Sequence, residues 1–133
     1  MQKIKITYHI RIETEGEIEQ KEMNLEGYFL SGEQEWMVRY VEEDGSQTNW
    51  IFRQDQVTLL RKGEVPYQQT FSLEKSEPFW LHTTAGKMAF ETVTQHYHLQ
   101  VDKSGIEVEL QYTLYTANTP LSHYQLTLLG KVC

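Results

Sequence analysis

The chain has 133 residues, room for one domain and too few for two good cores. Hydrophobic residues at 39% and charged residues at 23% argue against disorder, and no apolar run approaches the roughly 20 residues that a membrane-spanning helix needs. Nineteen acidic against twelve basic residues give a net charge of −7. The basic residues are scattered rather than gathered in a stripe, so neither nucleic acid nor an anionic membrane surface is an expected partner.

The first element alternates without a break. Ile4, Ile6, Tyr8, Ile10 and Ile12 face one way, and Lys3, Lys5, Thr7, His9, Arg11 and Glu13 the other. A helix would scatter these apolar residues around its circumference, so Lys3–Glu13 is a strand. The same alternation at the amino terminus lacks the continuous apolar segment of a secretory signal. The only cysteine is Cys133, so no intrachain disulfide can form, and the cytoplasm is the expected location.

Further strands are expected at Ile18–Leu30, Glu35–Glu42, Thr48–Arg53, Val57–Lys62, Tyr67–Glu74, Phe79–Thr83, Lys87–Val101, Ile106–Leu114 and Ser122–Val132. Short turns at Glu15-Gly16, Ser31-Gly32, Asp44-Gly45, Lys103-Ser104-Gly105 and Asn118-Thr119-Pro120 suit antiparallel hairpins. Ile18 is out of phase with Met23 and Leu25, and Met88 and Phe90 with Val93 and Tyr97. A one-residue bulge in each strand would reconcile the two halves. No stretch carries a sustained helical stripe, which excludes a parallel βαβ fold. Long strands coil, so the expected fold is all-β: one antiparallel, mostly up-and-down barrel of roughly eight to ten strands across residues 1–133.

Scattered along this framework are Gly27-Tyr28, Val38-Arg39-Tyr40-Val41-Glu42, Thr48 with Trp50, Val57 to Gly63, Phe71, Thr84 to Met88, Thr92, and Ile106 to Leu114. In order and spacing they resemble the YwiB-like family of small bacterial proteins, over nearly the whole chain. The resemblance implies a calycin-like barrel related in shape to lipocalins and fatty-acid-binding proteins, a cytosolic setting and an unassigned function. The Gly-x-Trp signature of true lipocalins is absent from the first strand.

Few residues suggest chemistry. His96 and His98 project from one strand face, with Asp102 beyond, and could chelate a metal as cupins do. The flanking glycines stand at the wrong distances, however, and outward-facing, solvated imidazoles are the expectation, with no metal and no cofactor. The serines lack an elbow motif or a base partner, and Glu42-Glu43-Asp44 reads as a solvated turn. Arg61 shares the phase of Val57 and Leu59 and should point into the barrel, where a guanidinium must be paired or stacked. It is either an anchor for an anionic ligand or a structural group stacked on Trp50 or Tyr8.

The expected interior comprises Arg61, Tyr112, Tyr40, Trp50, Phe71 and Thr92. Its walls are Ile6, Tyr8, Ile10, Val38, Val108 and Leu110. The expectation is a non-enzymatic barrel that holds a small apolar or amphipathic molecule among these residues. The alternative is a structural or protein-interaction barrel with a packed interior.

Overall fold

The alternation of the first strand continues around the whole molecule. A computed structural model describes residues 1–133 as ten strands with no helix. They are β1 (Gln2–Thr14), β2 (Glu17–Ser31), β3 (Trp36–Val41), β4 (Gln47–Phe52), β5 (Gln56–Lys62), β6 (Tyr67–Ser72), β7 (Ser76–Thr83), β8 (Gly86–Asp102), β9 (Gly105–Thr116) and β10 (Thr119–Val132). There is accordingly no helix long and apolar enough to cross a membrane.

All ten belong to one antiparallel sheet in the order β6-β5-β4-β3-β2-β1-β10-β9-β8-β7. Except for β6 and β7, strands adjacent in sequence pair with one another, and a full ladder between β1 and β10, from Ile4↔Val132 to Glu13↔His123, brings the two ends of the chain together. The barrel is thus nearly closed, and its seam lies between β6 and β7. Pro78 sits on the β7 side of that seam and has no N–H for a ladder. Side chains bridge the seam instead: the Gln69 amide donates to Thr92 Oγ1 at 3.0 Å, and Ser72 Oγ to Glu77 Oε1 at 3.0 Å.

Turn chemistry follows backbone sterics. Glu15 and Gly16 have φ of 51° and 82°, the left-handed pair that closes a two-residue hairpin between twisted strands. Ala117 and Asn118 do the same between β9 and β10, so Thr119 and Pro120 already belong to β10.

One of the two expected bulges exists. The β8–β9 register slips between Thr94 and His96, leaving Gln95 as the extra residue. Thr92 and Thr94 therefore face inward before it, and Tyr97, Leu99 and Val101 after it. The expected bulge in β2 is a correction: β2 pairs with β1 continuously from Glu17 to Phe29. Ile18 simply lies on the solvated tip of this hairpin, 53% exposed, so its phase carries no core signal. A further slip, between Pro120 and Ser122, bends β10 against β9.

The core is one cluster of 19 buried residues drawn from every strand but β8. On β1 these are Ile4, Ile6 and Ile10, with Tyr8 and Ile12 half-buried beside them.

Candidate functional site

Strand register sorts the interior of β3–β6 into rows. The end row is Tyr40–Thr48–Arg61–Tyr67, the next Val38–Trp50–Leu59–Gln69, and the third Trp36–Phe52–Val57–Phe71. Polar groups thus collect at the rim and apolar ones beneath it. The expected interior set falls into this frame: Tyr40, Trp50, Phe71, Thr92 and Tyr112 are buried, and Arg61 stands half-buried in the rim row.

Arg61 has its partners within the chain. Its Nη2 lies 2.7 Å from Glu42 Oε2 and 3.3 Å from Asp44 Oδ2, and its Nε donates to Glu42 Oε2 at 3.0 Å. The guanidinium is held by carboxylates rather than by the rings of Trp50 or Tyr8. Asp44 also accepts the Ser46 backbone N–H at 2.9 Å, which, with Arg61, holds its carboxyl below the usual range. The Glu42–Asp44 turn is therefore the tie that fixes the β3–β4 hairpin over the rim. Sequence reasoning missed this, because the partners stand 19 and 17 residues from Arg61 and meet it only through strand register.

Beneath the rim the space is occupied by rings in continuous contact. Phe52 stacks on Trp50 at 5.8 Å between centroids, Trp50 meets Phe71 at 6.2 Å, Phe71 meets Tyr112 edge-on at 4.7 Å, and Tyr112 stacks on Tyr124 at 4.5 Å. Such offset and edge-on pairs add about 0.5–1.5 kcal/mol each beyond area burial. The Trp50 indole N–H donates to Tyr40 Oη at 3.1 Å, so the polar ends of this run are also used. Two buried hydroxyls, Thr48 Oγ1 and Thr94 Oγ1, have no hydrogen-bond partner. Hollows of about 450–730 Å³ lie outside this core, at the barrel ends and along the outer faces of the strands.

Burial sets the tyrosine chemistry. The Tyr40 hydroxyl is pushed up to about 12, burial outweighing the Trp50 hydrogen bond, and burial likewise raises Tyr8, Tyr67, Tyr97, Tyr112 and Tyr124. These groups are neutral hydrogen-bonding phenols, not bases. A folded-state value above the unfolded one stabilises the fold below about pH 10, and that stabilisation is lost as the pH climbs. We expect stability to fall above pH 10, by about 1.4 kcal/mol per pH unit between there and about pH 12 for Tyr40. Denaturant midpoints between pH 8 and 12, read beside tyrosinate absorbance at 295 nm, check this; a flat profile would contradict it.

His96 and His98 are exposed on the outer face, and His96 Nε2 lies 3.4 Å from Glu109 Oε2. Asp102 accepts hydrogen bonds from the Ser104 N–H and hydroxyl, at 2.8 and 2.5 Å, which shape the β8–β9 turn. No group of three or more His, Cys, Asp or Glu residues is arranged to hold a metal ion.

With this geometry in view, a family described as "Domain of unknown function (DUF1934)" matches residues 4–128. The chain belongs to the DUF1934 family. No curated protein matches it. Among solved structures, it is similar to the crystal structure of the ywiB protein from Bacillus subtilis, with a TM-score of 0.82 and 19% identity over 98% of this chain and 93% of that one. The expected YwiB-like resemblance and the antiparallel barrel are thus both found. The identity is low enough that the likeness speaks for the DUF1934 fold alone.

Proposed function

We propose that this barrel is a non-enzymatic, cytoplasmic protein-interaction module whose interior is packed and whose working surface lies outside. The observation that carries this reading is the unbroken run Phe52–Trp50–Phe71–Tyr112–Tyr124 across the barrel. A drug-sized ligand needs on the order of 300 Å³ of apolar space, and these rings stand where it would lie. Arg61 supports the same reading, since its charge is already committed to Glu42 and Asp44. Histidine side-chain bonds run to Gln20, Glu109 and Thr113, never to a serine or to Cys133, and Thr113 is buried beneath its bond to Gln95. That arrangement pairs no histidine with an accessible nucleophile.

A second reading, a calycin-like site for a small amphipathic molecule, rests on the rim row, where the buried Thr48 hydroxyl lacks a partner beside Arg61. Arg61→Met separates the two. If the guanidinium is structural, its loss costs about 1 kcal/mol, the upper range for a partly exposed ion pair, and lowers the unfolding midpoint by a few degrees. Calorimetric titration with dodecanoate should then show no heat of binding in either protein. Dodecanoate bound by the wild type and weakened by about 1.5–3 kcal/mol in Arg61→Met would favour the second reading.

A further inference from the structure

The strand β8 has a neighbour on one side only over its last seven residues, His96–Asp102. Its ladder to β7 ends at Val93, and one isolated bridge, Leu73↔Thr94, is the last backbone pairing on that edge. Pro78 pairs with Glu91 and cannot donate, so alternation, carried through the Gln95 bulge, turns the backbone of His96, His98, Gln100 and Asp102 to β9. The N–H and C=O groups of Tyr97, Leu99 and Val101 consequently point to the open side. Exposed edges are ordinarily blunted by proline or lysine. The β7 edge carries Pro78, whereas His96–Asp102 contains neither residue.

This edge looks into a cleft. A hollow of about 540 Å³ runs between Tyr97, Leu99 and Val101 on one side and Trp36 with Gln54 and Asp55 on the other. A second of about 730 Å³ adjoins it, sharing Trp36, Gln54 and Asp55 and reaching Glu33, Glu35 and Arg53. Tyr97 Oη donates to the Arg53 carbonyl at 2.5 Å across this cleft. The lining sets three carboxylates, Glu33, Glu35 and Asp55, against one guanidinium, and Glu35 already holds Arg53 at 3.3 Å.

We propose that this cleft takes an extended segment of a partner polypeptide as an added strand on β8, and that the segment alternates apolar and basic side chains. Only an extended backbone satisfies a row of alternating N–H and C=O groups. Apolar side chains of the segment meet Trp36, Leu99 and Val101, and basic ones meet Glu33 and Asp55. A second copy of this chain fits poorly, since it would bring the same carboxylates together in a molecule of net charge −7. The proposal rests on the packed-interior reading and names its outer working surface.

The test is fluorescence anisotropy with two labelled peptides of about eight residues, roughly 26 Å of extended chain, one alternating lysine with valine and the other glutamate with valine. The lysine–valine peptide should bind at least about ten-fold more tightly than its acidic counterpart. Leu99→Pro, which removes an N–H from the open edge and none from the β9 ladder, should weaken it by about ten-fold or more. Because Leu99→Pro also trims an inward side chain, the pair Glu33→Lys and Asp55→Lys provides a surface-only variant, expected to weaken binding similarly at an unchanged unfolding midpoint. Equal binding of the two peptides, binding indifferent to the charge reversals, or no binding of the lysine–valine peptide overturns the proposal. Self-association of the protein that is lost in Leu99→Pro would put a second copy in the cleft and also overturn it. None of these outcomes touches the packed interior, which a bound small molecule would contradict.

Discussion

Phe71→Ala is expected to cost about 3–5 kcal/mol, because it deletes a ring at the centre of the core and leaves a cavity that the barrel cannot collapse. Phe71 is 1% exposed and joins Trp50 on β4 to Tyr112 on β9, so its loss separates the two halves of the interior. For a domain of this size the midpoint of thermal unfolding should drop by roughly 10 °C or more. The vacated space is apolar and should admit a small aromatic molecule, as engineered core cavities do. Added benzene should therefore raise the midpoint of Phe71→Ala and leave that of the wild type unchanged. A loss below about 1 kcal/mol, or a wild type that gains as much from benzene, would show that the interior is not packed.

Gly105→Ala is expected to be comparably damaging for a backbone reason. Gly105 opens β9 at φ 147°, a conformation that L side chains rarely adopt. A Cβ there would run into the carbonyl oxygen of Gly130 and come within 3.2 Å of Lys131 Cα. Both obstacles are backbone, held in the β9–β10 ladder by the Gly130↔Ile106 and Lys131↔Gly105 pairs, so neither can rotate aside. Strain and clash together should cost about 3–5 kcal/mol, in the exceptional range for a single substitution. Gly86→Ala is the matched control: it shares a positive φ, 123°, but has open space around its Cβ. It should cost no more than about 1–3 kcal/mol, the strain alone. Urea unfolding of the three proteins side by side checks the ranking.

How far the sequence reveals this arrangement depends on which face a residue serves. On β1, apolar and polar residues alternate because one face meets the core and the other solvent, so strand and orientation are both legible. On β8 the inward positions before the bulge include Thr92 and Thr94, buried yet polar, and hydropathy alternation passes over them. The slip was foreseeable from the phase of Phe90 against Tyr97, but its place at Gln95 was not. Ile18 misled in the opposite sense, since an exposed isoleucine at a hairpin tip imitates a core position. Arg61 pointed inward as its phase required, yet its partners depend on β4 lying between β3 and β5. The open edge of β8 leaves no trace in the sequence, because a missing neighbour is a property of the sheet and not of the strand.

The central claim is that the barrel holds nothing in its interior but its own side chains. Native mass spectrometry of the protein purified from its own host, compared with the same sample after denaturing extraction, tests it directly. The packed interior predicts the bare 15.7 kDa chain in both; a small molecule bound in stoichiometric amount before extraction and absent after it would contradict the account.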